Sequence, residues 1–452
     1  MKIIIVGCGK VGTSIATELN SEGHQIRLID VNRAAVTRLS DSIDAMGIEG
    51  NGATYETLKE AEVSSADLVI AATARDEVNL YTCLLAKNSG AKNTIARVRN
   101  PEYTNDLFRV KDAMGLSMSI NPELTAALEI SRLLRYSGAL EIDSFSKGAA
   151  ELIKVEVPQG SMVADKAISR IDIQKGKVRV CTVERGNEVY IPNGDFVIRA
   201  GDKISIVSKP EVAAKFFKKA SISIGRCRDV IILGGGKISF YLAQKLLKTG
   251  AGVKIIERNQ QRCEELAATL HDAVIIHGDC MDQDLLLSEG VDRTDGVVAL
   301  MDYDEENILI SMYVNSVSKA KVITKVSNSS FDNIIAQLRL ERVIDPKSIA
   351  GEYIARYIRA MQNSMGSNVE TLYRLNEDRV EALEFRAKST TRLAAIPLSQ
   401  LNLRDNLQVI CISRRGKVIL PTGSDCIMPD DRVVVVTKHK GLSDLDDILN
   451  RR

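Results

Sequence analysis

The sequence of 452 residues contains no tryptophan and few other aromatic residues, and its charges almost cancel. With 60 basic and 59 acidic residues the formal net charge is +1, so no overall field attracts the chain to nucleic acid or to an anionic membrane. Aromatic side chains that could stack on bases make up only 4% of the sequence. We therefore expect no nucleic-acid partner.

Long apolar runs and paired cysteines are also absent. No stretch approaches the roughly 20 consecutive apolar residues of a membrane-spanning helix, and the opening MKIIIVGCGK resembles a first strand more than a signal peptide. The eight cysteines are scattered without a Cys-x-x-Cys pair, which argues against a disulfide framework and against a structural metal. These features predict a cytoplasmic chain with reduced thiols.

The most informative feature of the sequence is an internal repeat. Residues 3–12, IIIVGCGKVG, match residues 230–239, VIILGGGKIS, at a shift of 227. With one extra residue the match continues, and it pairs Arg97 with Lys325. Further along, Pro192 pairs with Pro421 at a shift of 229. The chain is therefore predicted to be a two-domain unit that occurs twice.

The first domain of each unit alternates strand and helix patterns. The apolar runs IIIV, QIRLID and LVIAAT are separated by amphipathic segments at residues 11–22 and 33–41. This alternation predicts a doubly wound parallel sheet with helices on both faces. Gly23 and Gly250 follow the first helix of each unit, where a left-handed C-terminal cap is expected.

The second domain of each unit has a different pattern. Residues 151–209 contain short apolar segments between Pro and Gly turns, which predicts a small strand-rich module. Apolar residues at helical spacing in residues 123–135 and 348–361 predict helical connectors between the two domain types. The predicted fold is thus α/β, with tandem Rossmann-like sheets, each followed by a small α+β domain.

A glycine-rich loop follows the first predicted strand. Gly7, Gly9 and Gly12 form G-x-G-x-x-G, in which the first glycine permits a tight turn, the second admits a pyrophosphate, and the third allows close strand–helix packing. Asp30 ends the second strand, where a carboxylate can bind ribose hydroxyls and would repel a 2′-phosphate. The pattern favours NAD over NADP, although Arg27 and Arg33 weaken that preference. The alternative is a tight turn and a loop cap without a ligand.

The second repeat departs from this motif. Gly234 and Gly236 are retained, but Ser239 occupies the third glycine position and Glu257 replaces the aspartate. We expect the phosphate-binding amides to remain. A second nucleotide site and a vestigial loop are both compatible with these residues.

Residues near the ends of later strands are less informative. We expect Asp76 and Asp304 to cap helices, and Thr73 to border the ligand. Arg97 could contact phosphate or be a solvated charge at the end of a strand. His277 and Cys280 form a His-x-x-Cys pair without companions, which predicts no metal site.

These motifs together resemble the RCK family, also called KTN. GCGKVG, Asp30, GNGA, DEVN and IARV, repeated with a strand-rich domain after each copy, are similar to the tandem RCK regulatory subunits of Trk potassium uptake systems. The resemblance implies four domains, RCK-N and RCK-C twice, at residues 1–122, 138–220, 227–346 and 365–452.

The resemblance also implies a set of nucleotide contacts. Those in the first repeat would be Gly7, Cys8, Gly9, Lys10, Val11, Gly12, Asp30, Asn51, Thr73, Ala74 and Arg97. Those in the second would be Gly234, Gly235, Gly236, Lys237, Ile238, Glu257 and Asp279. Ser239 and Lys325 differ from their counterparts in the first repeat, Gly12 and Arg97.

The function implied by the resemblance is regulatory. Such chains form a homotetrameric gating ring beneath a membrane-embedded Trk-type potassium transporter, bind NAD(H), and in some relatives respond to ATP or ADP. The chain would then be peripheral on the inner face of the membrane. No catalytic residue is identified, but an NAD-dependent oxidoreductase using the same pocket, and an assembly scaffold with degenerate sites, are the alternatives.

Overall fold

The structure is a computed structural model that divides into two compact units, each built from two separate stretches of chain. One unit combines Met1–Ser131 with Arg228–Ala355, and the other combines Arg132–Cys227 with Arg356–Arg452. The first unit contains both glycine-loop repeats, and the second contains both strand-rich domains. The structure describes residues 1–136, 138–145, 150–171, 177–222, 227–331, 335, 337–338, 340, 342–363, 369–376 and 379–450. The predicted domain start at residue 365 and the last two residues lie outside this range.

The first repeat is an alternation of strands and helices, as predicted. Its elements are β1 (Lys2–Val6), α1 (Lys10–Ser21), β2 (Gln25–Asp30), α2 (Arg33–Ile43), β3 (Met46–Glu49), α3 (Tyr55–Glu60), β4 (Leu68–Ala71), α4 (Asp76–Asn88), β5 (Thr94–Arg97), α5 (Pro101–Val110), β6 (Met118–Ile120) and α6 (Pro122–Arg135). The strands form one parallel sheet in the order β3-β2-β1-β4-β5-β6. The order reverses beside β1, and ligands of such sheets bind at the carboxyl ends of the strands there.

After the first repeat, the chain forms an antiparallel sheet. Its elements are β7 (Ala139–Phe145), β8 (Ala150–Glu156), β9 (Lys166–Ala167), β10 (Val178–Arg185), β11 (Glu188–Tyr190), β12 (Val197–Ile198), β13 (Lys203–Ser208) and α7 (Pro210–Lys219). The main sheet has the order β11-β10-β13-β8-β7, and β9 pairs with β12. This confirms the strand-rich module predicted for residues 151–209.

The second repeat has the same topology as the first. Its elements are β14 (Asp229–Leu233), α8 (Lys237–Lys248), β15 (Gly252–Glu257), α9 (Gln260–Thr269), β16 (Val274–His277), α10 (Gln283–Ser288), β17 (Gly296–Ala299), α11 (Asp304–Val317), β18 (Lys321–Lys325), β19 (Val343–Ile344) and α12 (Pro346–Asn363). The parallel order is β16-β15-β14-β17-β18-β19. The final sheet, β20-β21-β24-β22-β23, contains β20 (Val369–Leu375), β21 (Val380–Arg386), β22 (Leu407–Arg414), β23 (Lys417–Ile419) and β24 (Arg432–Thr437).

Local sequence signals account for many element boundaries. Gly23 and Gly250 have φ of 77° and 76°, which confirms the left-handed caps predicted after the first helix of each repeat. Asn32 and Asn259 cap α2 and α9 by accepting hydrogen bonds from helix amides. The predicted connectors are helical and correspond to α6 and α12.

The two antiparallel sheets share a hydrophobic core inside their unit. Phe145 of the first sheet and Tyr373 of the second stack edge to face with ring centroids 4.6 Å apart. Cys181 and Cys411 are buried in the same cluster. The strand-rich domains of the two repeats therefore pack as a pair.

Candidate nucleotide-binding site

The first glycine loop is shaped by two glycines that have no room for a side chain. Gly7 has φ of 106°, and a Cβ atom there would lie 2.9 Å from the backbone nitrogen of Thr73. A Cβ atom on Gly12 would overlap the carbonyl oxygen of Gly7. Both glycines are thus required by the close packing of β1, α1 and the segment after β4.

Gly9 has a different environment from the other two glycines of the loop. A Cβ atom there would have no heavy atom within 4 Å, so the backbone faces open space. Gly9 is the N-cap of α1 and has no side chain that could cap the helix. The first-turn amides of α1 and the positive end of its dipole therefore face a space that an anionic group could enter.

Asp30 supports this loop directly. Its Oδ2 accepts a hydrogen bond of 2.6 Å from the backbone N–H of Cys8, and its Oδ1 accepts one of 2.9 Å from the backbone N–H of Asn32. The carboxylate thereby joins the glycine loop to the end of β2. Each carboxylate oxygen has a further lone pair that can accept from a ribose hydroxyl.

A buried asparagine, Asn79, holds the ends of β4 and β5 on the side of the glycine loop opposite Asp30. The Oδ1 of Asn79 accepts hydrogen bonds from the backbone N–H and the hydroxyl of Thr73, at 2.8 and 2.7 Å. Its amide nitrogen donates to the backbone carbonyl oxygens of Thr73 (3.2 Å) and Arg97 (2.9 Å). Asn79 thus links the ends of β4 and β5.

Arg97 is a mostly buried cation in this crevice. Its guanidinium lies 3.5 Å from the carboxylate of Glu123, and their side chains are only 13% and 18% exposed. Within the described part of the chain, the Nε of Arg97 and the Oε2 of Glu123 have no hydrogen-bond partner. Burial lowers the pKa of Arg97 below its ordinary value, which reflects an incompletely compensated charge.

These elements enclose a cavity of about 660 Å³ that both repeats line. The first repeat contributes most of the wall, and the second contributes Ile238, Lys325, Ser327, Pro346 and Lys347. Its charged lining residues among those described are five cations and two carboxylates: Lys10, Arg75, Arg97, Lys325, Lys347, Asp30 and Glu123. Its size lies in the range of ligand sites, and its excess of positive charge suits a phosphate-bearing ligand.

The second glycine loop repeats the same hydrogen bonds with different residues. The Oε2 of Glu257 accepts a hydrogen bond of 2.6 Å from the backbone N–H of Gly235, and its Oε1 accepts one of 2.7 Å from Asn259. The hydroxyl of Ser239 donates to the carbonyl oxygen of Gly234 at 2.5 Å. A serine is therefore accommodated at residue 239, because its hydroxyl forms a hydrogen bond with the glycine loop against which its side chain lies.

The cavity at the second loop is smaller and carries the opposite charge. Its volume is about 420 Å³. Its charged lining residues among those described are five acids and two bases: Glu257, Glu265, Asp279, Asp302, Glu306, Arg258 and Arg262. Asp302 and Glu306 occupy the positions of Ala74 and Val78 in the first repeat. This cavity is electrostatically unfavourable for a polyphosphate.

Comparison with known proteins agrees with the repeat. The TrkA-N domain model matches residues 3–122 and 230–346, which is more than half of the chain, and the TrkA-C domain model matches residues 152–221 and 382–450. The chain belongs to the TrkA family.

Full-length relatives support this assignment. A Trk system potassium uptake protein TrkA homolog of Archaeoglobus fulgidus is 32% identical over 99% of this chain and 100% of its own length. The Trk system potassium uptake protein TrkA of Vibrio alginolyticus is 28% identical over 99% of this chain and 98% of its own. The chain is thus a TrkA homolog with tandem RCK domains, as its motifs indicated.

The solved structure of the GsuK channel bound to NAD has the same fold. Its TM-score is 0.64 at 16% identity, over 96% of this chain and 76% of the channel chain. The two chains therefore share a fold although only 16% of their aligned residues are identical.

Most of the predicted contacts of the first repeat line its cavity. These are Gly7, Gly9, Lys10, Val11, Asp30, Asn51, Thr73, Ala74 and Arg97. Cys8 and Gly12 are buried behind the loop instead. Cys8 contributes its backbone N–H to Asp30 rather than its side chain to the cavity.

The predicted contacts of the second repeat are divided. Gly234, Gly235, Gly236, Glu257 and Asp279 line the second cavity. Ile238 lines the first cavity. Lys237 is exposed at the start of α8 and is not among the residues that line either cavity.

The expectation that Asp76 and Asp304 cap helices is wrong. Each is the first helical residue, and the N-cap positions are Arg75 and Tyr303, whose side chains make no cap hydrogen bond. The Oδ2 of Asp76 instead accepts from the amide of Arg99 at 2.8 Å, and that of Asp304 accepts from Ser327 at 2.9 Å. Both carboxylates hold the turn after the neighbouring strand, since that turn lies directly beside the helix start.

Several site residues were not identified from the sequence of this TrkA-family chain. Asn79 and Asn307 end the repeated DEVN and DEEN segments, and their recurrence was an available signal. Asn307 bonds to Met301 as Asn79 does to Thr73. Glu123 is the second residue of the connector helix α6, and no sequence spacing related it to Arg97.

The described residues contain neither a candidate membrane span nor a candidate metal cluster. No helix there is long and apolar enough to cross a membrane. No group of three or more His, Cys, Asp or Glu residues in that part of the chain could hold a metal ion.

Proposed function

We propose that this chain is a nucleotide-responsive regulatory subunit of a Trk-type potassium uptake system, and that it binds NAD(H) in the cavity at the first glycine loop. The observation that supports this most directly is the combination of an open backbone at Gly9 with an uncapped helix start and an excess of cations. Asp30 ends β2, and its carboxylate would accept from the adenosine ribose hydroxyls. ATP or ADP shares the adenosine and phosphate groups and is the alternative ligand.

The regulatory part of the proposal rests on family membership. The relatives are potassium uptake proteins, and the GsuK channel structure contains NAD. We propose that four copies of this chain assemble on a membrane-embedded transporter subunit, on the inner face of the cell membrane. We also propose the domain limits 1–122, 138–220, 227–346 and 365–452. Nucleotide would act by binding one ring conformation more tightly than another.

We expect the second loop to bind nucleotide more weakly than the first. Its amides and its carboxylate, Glu257, are arranged as in the first loop. However, five of the described residues that line its cavity are acidic. A diphosphate there would be repelled by several carboxylates, including Asp302 and Glu306.

Calorimetry on the full chain with NAD⁺, NADH, ATP and ADP tests the proposal. Gly9→Asp and Gly236→Asp form a matched pair, because a Cβ atom at either position has no heavy atom within 4 Å and both variants should fold. We expect Gly9→Asp to abolish the tighter binding, which we assign to the first glycine loop. Gly236→Asp should leave that binding intact. Retention of all binding by Gly9→Asp would contradict the assignment of the site.

Potassium flux into vesicles that contain the transporter subunit tests the regulatory role. Nucleotide should change the flux with the wild-type chain and not with Gly9→Asp. A flux that ignores nucleotide in both cases would disprove regulation. Steady oxidation of NADH by the purified chain with cell metabolites would instead favour an oxidoreductase.

A further inference from the structure

The hydroxyl of Tyr241 is a polar group that connects the two repeats. Tyr241 lies on α8, the helix that follows the second glycine loop, and it is only 6% exposed. Its hydroxyl accepts a hydrogen bond of 3.0 Å from the side-chain amide of Asn121 and donates one of 3.1 Å to the backbone carbonyl oxygen of Arg99. Both partners belong to the first repeat, so this hydroxyl holds α8 against the turn that follows β5.

The turn that carries Arg99 supports one rim of the first cavity. The backbone N–H of Arg99 donates to the Oδ2 of Asp76 at 2.8 Å, and its guanidinium donates to the carbonyl oxygen of Ala74. The guanidinium also lies 3.8 Å from the carboxylate of Asp76, which is buried. Ala74 lines the cavity, whereas Arg99 and Tyr241 are not among the described residues that line it. Tyr241 is therefore separated from the rim by a single residue.

Asn121 extends the same arrangement to the start of α6. Its side-chain oxygen accepts a hydrogen bond of 2.9 Å from the backbone N–H of Leu124, and its amide nitrogen lies 3.4 Å from the carbonyl oxygen of Arg99. The next two residues, Pro122 and Glu123, line the first cavity. The Tyr241 hydroxyl thus orders two segments that border the cavity. Its loss would weaken the hydrogen bonding of two polar groups in a buried place, which is costly.

The equivalent positions of the opposite repeats are built differently. Ser14 takes the place of Tyr241 on α1. It lies against Gly351 of α12, where a Cβ atom would be 3.2 Å from the Ser14 hydroxyl oxygen. In the turn after β18, the carbonyl oxygen of Ser327 accepts a hydrogen bond of 2.9 Å from Lys347 of its own repeat. The tyrosine bridge therefore leads from the second repeat to the first cavity.

We propose that Tyr241 is a positioning residue for the first nucleotide site. Without contacting the ligand, it holds the turn of Arg99 and the start of α6 in the geometry that binds nucleotide. The inference rests on the proposed function of the first glycine loop. Segments that are ordered before the ligand arrives lose less conformational freedom on binding, so their order increases affinity. The packing of the second repeat is in this way part of the affinity of the first site.

Removal of single side-chain groups tests this role. Tyr241→Phe removes the hydroxyl and keeps the ring. The matched control is Tyr353→Phe, which removes the hydroxyl of a tyrosine on α12 that is 49% exposed. Arg99→Met removes the guanidinium that donates to Ala74 and keeps an unbranched side chain. Calorimetry of the full chain with NAD⁺ gives the affinity of each variant and of the double variant. Thermal unfolding followed by circular dichroism gives their stability.

We expect Tyr241→Phe to weaken NAD⁺ binding about threefold to tenfold, and Tyr353→Phe to change it by less than about twofold. Arg99→Met should also weaken binding. The loss in the double variant should be smaller than the product of the two single losses, because both side chains act through one turn.

Three results would contradict these expectations. A folded Tyr241→Phe chain that unfolds at a lower temperature but binds NAD⁺ as tightly as the wild type would overturn the positioning role, since its hydroxyl would then serve stability alone. Single losses that multiply in the double variant would overturn the route through Arg99. A wild-type chain that binds no nucleotide would overturn the proposed function as well.

Discussion

The backbone N–H of Gly235 donates a 2.6 Å hydrogen bond to the carboxylate of Glu257, and this bond leaves no room for a side chain at residue 235. A Cβ atom there would lie 2.9 Å from the accepting Oε2 and 2.8 Å from the Cδ1 of Leu266. In the first repeat the shorter Asp30 accepts the same bond from Cys8, which does carry a side chain. The residue inside each loop is therefore matched to the length of the carboxylate.

This match predicts a compensating pair of substitutions. Gly235→Cys should lower the free energy of unfolding of the second repeat by about 1 to 2 kcal/mol, because the new side chain displaces Glu257. Adding Glu257→Asp should recover at least half of that loss, since a shorter carboxylate leaves space. Thermal unfolding followed by circular dichroism is suitable, because the chain lacks tryptophan. Purely additive effects of the two substitutions would contradict the match.

The third position of each loop predicts an asymmetry. Gly12→Ser should destabilise the first repeat by about 3 kcal/mol, because its Cβ atom would overlap the carbonyl oxygen of Gly7. The reciprocal Ser239→Gly should cost only about 1 to 2 kcal/mol, from one lost hydrogen bond to Gly234 and from glycine in a helix. Unfolding midpoints of the two variants compare these costs. A cost for Gly12→Ser that does not exceed the cost of Ser239→Gly would contradict the predicted clash at Gly12.

Much of the fold was predictable because its signals are local. The glycine loops, the alternation of strands and helices, and the caps at Gly23 and Gly250 depend on residues close together in the chain. The repeat added long-range information, since each half supported the assignment of the other. The family itself follows from these motifs and their order.

The composition of the first cavity was not predictable in the same way. Ile238, Lys325 and Lys347 reach it because the two repeats pack together, and no periodicity in the sequence reports that packing. The opposite charge of the second cavity is visible in the sequence only once Asp302 and Glu306 are known to line it. Tertiary contacts therefore determine which of the two similar loops faces cations.

A buried arginine–aspartate salt bridge in the last strand-rich domain gives a third prediction. Arg414 binds Asp431 through two nitrogens, at 2.9 and 2.8 Å, and the Asp431 side chain is only 2% exposed. Arg414→Ala should lower the free energy of unfolding by about 2 kcal/mol, because it leaves a buried carboxylate without its cation. The expected loss is not larger because the Arg414 side chain is partly exposed to solvent. Arg386 pairs with the exposed Asp430 and is the control. Arg386→Ala should cost less than about 1 kcal/mol, and chemical denaturation of both variants would measure the difference.

The cysteines predict a single reactive thiol in the native chain. Seven of the eight are buried, and only Cys426 is partly exposed. Burial raises the pKa of Cys8, Cys83 and Cys181 to about 12, so at pH 8 these thiols are both shielded and protonated, whereas alkylation requires the thiolate. Treating the native chain with N-ethylmaleimide at pH 8 should therefore add one label, as counted by intact mass.

The location of that label can be checked by substitution and by unfolding. Cys426→Ser should reduce the native count to zero, and denaturant should raise the wild-type count to eight. Labelling of Cys8 in the native chain would mean that the glycine loop opens, because its thiol lies behind the backbone bonded to Asp30. If nucleotide then suppressed this labelling, the opening would be coupled to ligand binding. A closed loop, as in the structure, leaves Cys8 unmodified with or without nucleotide.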